Sequence, residues 1–171
     1  MNSKELIDHF KLKPLQMEGG FFSETYRCQN TIPKEIFKGN KDKSSYSAIY
    51  YCLTSNTFSK MHRLPTDEIY HFYYGDPVQI LILSPAPRPN FSVHTLGHDF
   101  KAGQIPQLKV PAYCWQGSKL IPGGEVALMG TTMAPGFDFE DFEEGNYLEL
   151  LQAYPTAKEW LKVLCDVESQ E

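Results

Sequence analysis

The sequence predicts a mainly β domain, a sandwich or barrel of short strands with helices only at its ends. Three observations predict it. Short apolar runs recur along residues 21 to 133, each bounded by Gly, Pro, Asn or Asp. Aromatic residues make up 13% of the chain, and rings favour strands and ligand pockets. Helical periodicity is confined to the two ends, and 12 prolines with 12 glycines argue against a helical bundle.

Each element has a local reason. Asn2 followed by Glu5 is a capping box, so a short helix is predicted over residues 4 to 10, with Leu6, Ile7 and Phe10 as its buried stripe. Gly19-Gly20 marks a turn or bulge before a strand over 21 to 28. Residues 29 to 44 are polar and lysine-rich and read as a solvated surface loop. The run 46 to 53 leaves little room for a polar face, which implies a strand covered on both sides. Further strands are predicted over 58 to 62, 68 to 74, 77 to 83 and 91 to 96. Others follow over 108 to 111, 113 to 120 and 125 to 133, with loops at 85 to 89 and 97 to 106. Phe137, Phe139 and Phe142 alternate with acids in residues 138 to 144, which reads as an edge segment with buried rings and wet charges. Thr156 and Glu159 then cap a final helix from 157 to about 167.

The chain of 171 residues suits one domain, with a barrel core over about 18 to 142 and a helical segment over 147 to 168. A net charge of -5 gives no global footprint for nucleic acid. No apolar run is long enough to cross a membrane, and the N-terminus lacks the apolar core of a signal peptide. Cys28, Cys52, Cys114 and Cys165 form no metal-like or redox pair, so free thiols in a reducing, cytoplasmic compartment are expected.

The densest chemistry lies in residues 61 to 75, which hold His62, Asp67, Glu68, Tyr70, His71, Tyr73 and Tyr74. Strand parity sets Glu68, Tyr70 and Phe72 on one face and His71 on the other. If the turn at Pro65-Thr66 closes a hairpin, His62 and Glu68 point into the same interior. His94 and His98 have zinc-like spacing, but Gly97 breaks any helix that would align them. No P-loop, dinucleotide fingerprint or Ser-His-Asp order is present.

The spacing of His62, Glu68 and Gly75 resembles the first motif of the cupin superfamily, with Leu64 in place of its second histidine. Residues 111 to 116 resemble the second motif, with Tyr113 for its glycine and Gln116 for its last histidine. These departures, with the run 18 to 27, Gly75-Asp76-Pro77, Leu96-Gly97-His98-Asp99, Trp115-Gln116 and residues 134 to 142, resemble the fifth cupin family. That family often has His-Pro where this chain has Gln16-Met17.

The resemblance implies a cupin double-stranded β-helix, a jelly-roll barrel open at one end, usually paired as a homodimer. It implies no known reaction. The first expectation is a barrel that binds a small molecule. Its polar floor is His62, Glu68 and Gln116, and Phe22, Arg27, Tyr70, Phe72, Tyr113 and Trp115 contact the ligand. The alternative is a metal-independent sugar epimerase or isomerase, with His62 and Glu68 as the base and Tyr26, Tyr70 or Tyr113 as the acid. A third reading is a degenerate metal-dependent cupin. No metal or other cofactor is expected; a weakly held divalent ion would take His62, Glu68 and Gln116.

Overall fold

The computed structural model describes residues 1–37, 41–85 and 90–167. The chain opens with α1 (Ser3–His9), whose capping box is formed: Glu5 N–H donates to Asn2 Oδ1 at 3.0 Å and Asn2 N–H to the Glu5 carboxylate at 2.8 Å. Next come β1 (Lys13–Pro14), β2 (Phe21–Arg27), β3 (Thr31–Ile32), α2 (Lys34–Phe37), β4 (Lys43–Ser44) and β5 (Ser47–Thr54). The centre holds β6 (Ser59–Arg63), β7 (Glu68–Gly75), β8 (Val78–Ser84) and β9 (Asn90–Leu96). It continues with β10 (Gln107–Val110), β11 (Trp115–Leu120) and β12 (Val126–Met133). The chain ends with β13 (Glu143–Glu144), α3 (Tyr147–Ala153) and α4 (Lys158–Leu164).

Two antiparallel sheets face each other. One runs β1-β2-β5-β12-β7-β10, and the other β13-β6-β11-β8-β9. The alternation of side chains builds three cores from them. In β8, Val78, Ile80 and Ile82 fill the barrel, while Leu81 and Leu83 lie under the C-terminal helices with Leu161 and Leu164. In β5, Tyr51 and Leu53 point inward, while Cys52 lies under α1 with Leu6. These strands are apolar throughout because both their faces are covered. Burying Leu6 in this way contributes about 1.5–3 kcal/mol. The remaining outer face of the six-stranded sheet carries Tyr26, Tyr46, Tyr73 and Tyr74, all exposed.

Four details differ from the sequence expectations. First, β6 and β7 do not form a hairpin: the chain crosses between the two sheets at residues 64 to 67, so His62 and Glu68 face the interior from opposite walls. Second, the stretch 29 to 44 is not simply a solvated loop. It contains the β3–β4 pair, and Lys43 is only 6% exposed because it pairs with Asp141; Gly39 and Asn40 lie outside the described residues. Third, Pro155–Ala157 is a 3₁₀ turn, so Thr156 is not the cap of α4, which starts at Lys158 without a side-chain cap bond. Fourth, the acidic segment lies across the barrel mouth. Phe139 is 58% exposed rather than buried, and Asp141 is largely enclosed rather than wet.

Candidate functional site

The site begins with a backbone constraint. Gly19 and Gly20 adopt φ of 105° and 67°, values that favour glycine. A Cβ on Gly19 would lie 2.2 Å from the carbonyl oxygen of Phe58. This tight approach brings the Glu18 carbonyl to the Lys60 N–H at 2.8 Å, joining the turn before β2 to β6. The Glu18 side chain therefore enters the barrel. One of its carboxylate oxygens accepts from Ser59 Oγ at 2.7 Å, and the other lies 4.0 Å from His62 Nε2.

His62 is 1% exposed. Its Nδ1 lies 2.7 Å from the carbonyl of Lys60, which can only accept, so Nδ1 carries the proton. In the neutral ring Nε2 then holds a lone pair directed toward Glu18. The imidazole stacks on Phe142, with ring centroids 5.1 Å apart.

Gln116 pairs with His62 across β11 and β6, and it is 2% exposed. Its amide donates to Glu68 at 2.7 Å, which leaves the amide oxygen buried without a partner among the described residues. Burial, reinforced by the Glu18 carboxylate, pushes the Glu68 carboxyl above its ordinary range; His62, Thr131 and Gln116 offset part of this. The Tyr70 phenol is pushed well up by burial and then by Glu68 and Glu18. Tyr51 is pushed well up by burial and Glu18, and its hydroxyl donates to the Gly19 carbonyl at 3.0 Å.

Above this polar floor is a hollow of about 290 Å³. Leu15, Phe22, Ile49, Leu64, Met133, Phe137 and Phe139 form its apolar walls, and Glu18, Glu68 and Thr131 add polar groups. At the entrance, Arg27 pairs with Glu24 at 2.7 Å and donates to the Phe137 carbonyl at 3.0 Å. The strap of residues 137 to 144 closes over one side. Lys43–Asp141, Lys41–Glu140 at 3.2 Å and the paired bonds of Arg63 to Glu143 at 2.6 and 2.7 Å hold it.

The structure brings Glu68, Phe22 and Arg27 to the cavity lining, while His62, Gln116 and Tyr70 are buried beside Glu18 and Glu68 rather than lining it. Tyr26 does not join them. A bulge between Glu24 and Tyr26 makes Thr25 the surplus residue, so Arg27 opposite Ser47 turns inward and Tyr26 opposite Ala48 turns out, 52% exposed. Tyr113 sits in the turn before β11 with φ of 63° and is 58% exposed. Trp115 lies on the outer face because its neighbour Gln116 points in. It packs against the core under the C-terminal helices, with the Arg63 guanidinium 4.5 Å from its ring centre. Phe72 is barrel core, edge-on to His98, and does not line the cavity. His71 is on the opposite face of β7 and contacts Thr132 and Gln107.

Glu18 is the site residue that residue-by-residue reading of the sequence does not single out. Its signal was the paired glycine after it, which forces a close approach to another strand.

The donor set does not fit a metal ion. Leu64, at 5% exposure, occupies one position where the superfamily motif has a ligand, and Gln116 turns N–H donors rather than a lone pair toward Glu68. Among the described residues, no group of three or more His, Cys, Asp or Glu is arranged to hold a metal. No helix among them is long and apolar enough to cross a membrane.

Comparison with known proteins agrees with this fold. The chain is 30% identical over 152 residues to the Uncharacterized protein YML079W of Saccharomyces cerevisiae, covering 82% of this chain and 71% of that one. Protein SO0799 from Shewanella oneidensis is similar in structure, with a TM-score of 0.84, 31% identity and coverage of 96% and 97% of the two chains. A hypothetical protein from Leishmania major has a TM-score of 0.86 at 28% identity, covering 96% and 98%. Residues 4–144 match the family described as Cupin superfamily (DUF985), and the chain belongs to that family.

Proposed function

We propose that the barrel binds a small molecule in the cavity above Glu18 and Glu68. One observation supports this reading: a hollow of about 290 Å³ has apolar walls, yet the carboxylates of Glu18 and Glu68 line it, and Glu68 accepts from the buried Gln116 amide behind it. Fold stability alone favours apolar groups at such positions, because burying a charge is costly. Concave apolar sites with a few convergent polar groups are the usual form of small-molecule pockets.

The acid–base alternative keeps one favourable feature and loses another. The fixed tautomer of His62 gives it a basic nitrogen beside Glu18. Its proposed acid, Tyr26, lies outside the barrel, and Tyr70 is the phenol left beside Glu68. A sugar would also set hydroxyls against the apolar walls. Binding is therefore the preferred reading, without a metal. Pairing of two copies and a cytoplasmic location belong to the same proposal, and sedimentation equilibrium checks the first.

The test is a ligand-observed NMR screen on the wild type and on Ile49→Trp, which fills the cavity. Compounds that bind the wild type and lose binding in the variant are expected. If no compound distinguishes the two proteins, the cavity is not a ligand site.

A further inference from the structure

We infer that the cavity selects a protonated primary amine, with its ammonium head between Glu18 and Glu68 and a short apolar body against the walls. This inference rests on the reading of the barrel as a small-molecule site and names the chemical class of its ligand.

The first argument is charge. The cavity is lined by Glu18, Glu24 and Glu68 against Arg27 alone. Arg27 is committed at the entrance to Glu24 at 2.7 Å and to the Phe137 carbonyl. Apart from Arg27, the lining offers Glu18 and Glu68 no cation; His62 lies behind it, with Nε2 4.0 Å from Glu18. A low-dielectric cleft lined by one sign of charge concentrates ligands of the opposite sign.

The second argument is independent of charge and concerns donors. His62 uses its Nδ1–H on the Lys60 carbonyl, which leaves Nε2 as the ring nitrogen nearer Glu18. Gln116 uses its amide N–H on Glu68, and its oxygen remains unpartnered at 2% exposure. The hydroxyls beside Glu68 and Glu18 belong to Tyr70, Thr131, Tyr51 and Ser59, and each has a carboxylate or carbonyl near it. The floor is thus rich in acceptors. An ammonium supplies three donors and no acceptor.

The third argument is shape. Polar groups lie at the floor and the Arg27–Glu24 entrance, while Leu15, Phe22, Ile49, Leu64 and Met133 form walls without hydrogen-bonding capacity. A polyhydroxylated ligand would leave hydroxyls against these walls, and a carboxylate or phosphate would meet Glu18 and Glu68. A single cationic head on a hydrocarbon body satisfies both regions. The groups that face Glu68 are Glu18, His62, Tyr70, Thr131 and Gln116; burial and Glu18 raise its proton affinity, and His62, Thr131 and Gln116 offset part of the rise. A cation between the two carboxylates opposes that effect, so ammonium binding and protonation of Glu68 compete.

The test compares n-butylammonium, n-butanol and pentanoate by protein-observed NMR and calorimetry, with Glu18→Gln, Glu68→Gln and Ile49→Trp as variants. The ammonium should bind at least about tenfold more tightly than the alcohol, as expected for a charge-assisted hydrogen bond at the floor. Pentanoate should bind more weakly than the alcohol. Each glutamine variant should lose about tenfold for the ammonium while changing the alcohol by less than about twofold. That competition, read as a weaker ammonium affinity at lower pH, should shrink in Glu68→Gln. If butanol or pentanoate binds the wild type as well as the ammonium does, amine selection is wrong and the cavity reading stands. If no member of the series binds, or binding survives in Ile49→Trp, the cavity reading fails and the inference fails with it.

Discussion

His62 Nδ1 lies 2.7 Å from the carbonyl oxygen of Lys60, two residues before it on the same strand. The contact fixes both the orientation of the ring and the nitrogen that carries its proton. ¹⁵N NMR should therefore show the Nδ1–H tautomer as the dominant neutral form of His62. A dominant Nε2–H form would contradict the geometry and remove the acceptor from the cavity side.

Glu68 makes stability depend on pH in a defined direction. Its carboxyl is raised by burial and by Glu18, so between the unfolded value, about 4.3, and the raised folded value the native state holds more protons than the unfolded state. This group's contribution to stability falls as pH rises through that interval, and it carries no penalty below both values. Glu68→Gln should therefore be more stable relative to wild type at neutral pH than at pH 4. Urea unfolding at both pH values checks the sign, and a variant advantage that grows on acidification would refute it.

Gly19→Ala should be destabilising by about 1–3 kcal/mol from its backbone conformation alone. The contact with the Phe58 carbonyl adds to this, because a Cβ has no room there. The variant should also weaken ligand binding, since the same turn positions Glu18. Chemical denaturation with a matched binding measurement tests both effects. Wild-type stability in the variant would show that the turn tolerates a side chain.

Trp115 separates fold from site. It supports the C-terminal helices from outside the barrel, so Trp115→Ala should cost about 2 kcal/mol, below the range for a fully buried tryptophan because part of the ring is open. Ligand affinity should change by less than about twofold, as for a site without shared partners. A large loss of affinity without a loss of stability would place Trp115 in the site after all.

Metal content is a further test of the site's chemistry. Protein purified without chelator should hold well below one transition metal per chain, and EDTA should leave its Tm unchanged, since only a bound ligand stabilises by mass action. A stoichiometric metal, or a chelator-induced fall in Tm, would overturn the metal-free reading.

The architecture was legible because its signals are local and repeated. The capping box at Asn2 and Glu5 and the doubly covered strand read over 46 to 53 follow from local sequence alone. Parity also separated Glu68 from His71, but Trp115 was expected in the pocket beside Gln116, and the structure puts it on the opposite face of β11. At β2 both Tyr26 and Arg27 were expected in the site, and one surplus residue sends Tyr26 out and Arg27 in. A bulge depends on the partner strand, which local sequence does not show. Glu18 was missed for a similar reason, because its role depends on a carbonyl contact with a strand about forty residues away in the chain. Lys43 looked like one of several solvated lysines, and only the returning strap gives it Asp141.

That strap closes the barrel with ionic contacts of unequal enclosure. Lys43–Asp141 is shielded from solvent, whereas Lys41–Glu140 and Arg63–Glu143 are open to it. Dissolved salt screens open pairs far more than shielded ones. Raising ionic strength should then loosen the outer ties first, while the inner one holds the segment to the body. Residence time of an occupant would shorten with salt before the fold itself weakened, so ionic strength would set how fast the barrel exchanges its contents.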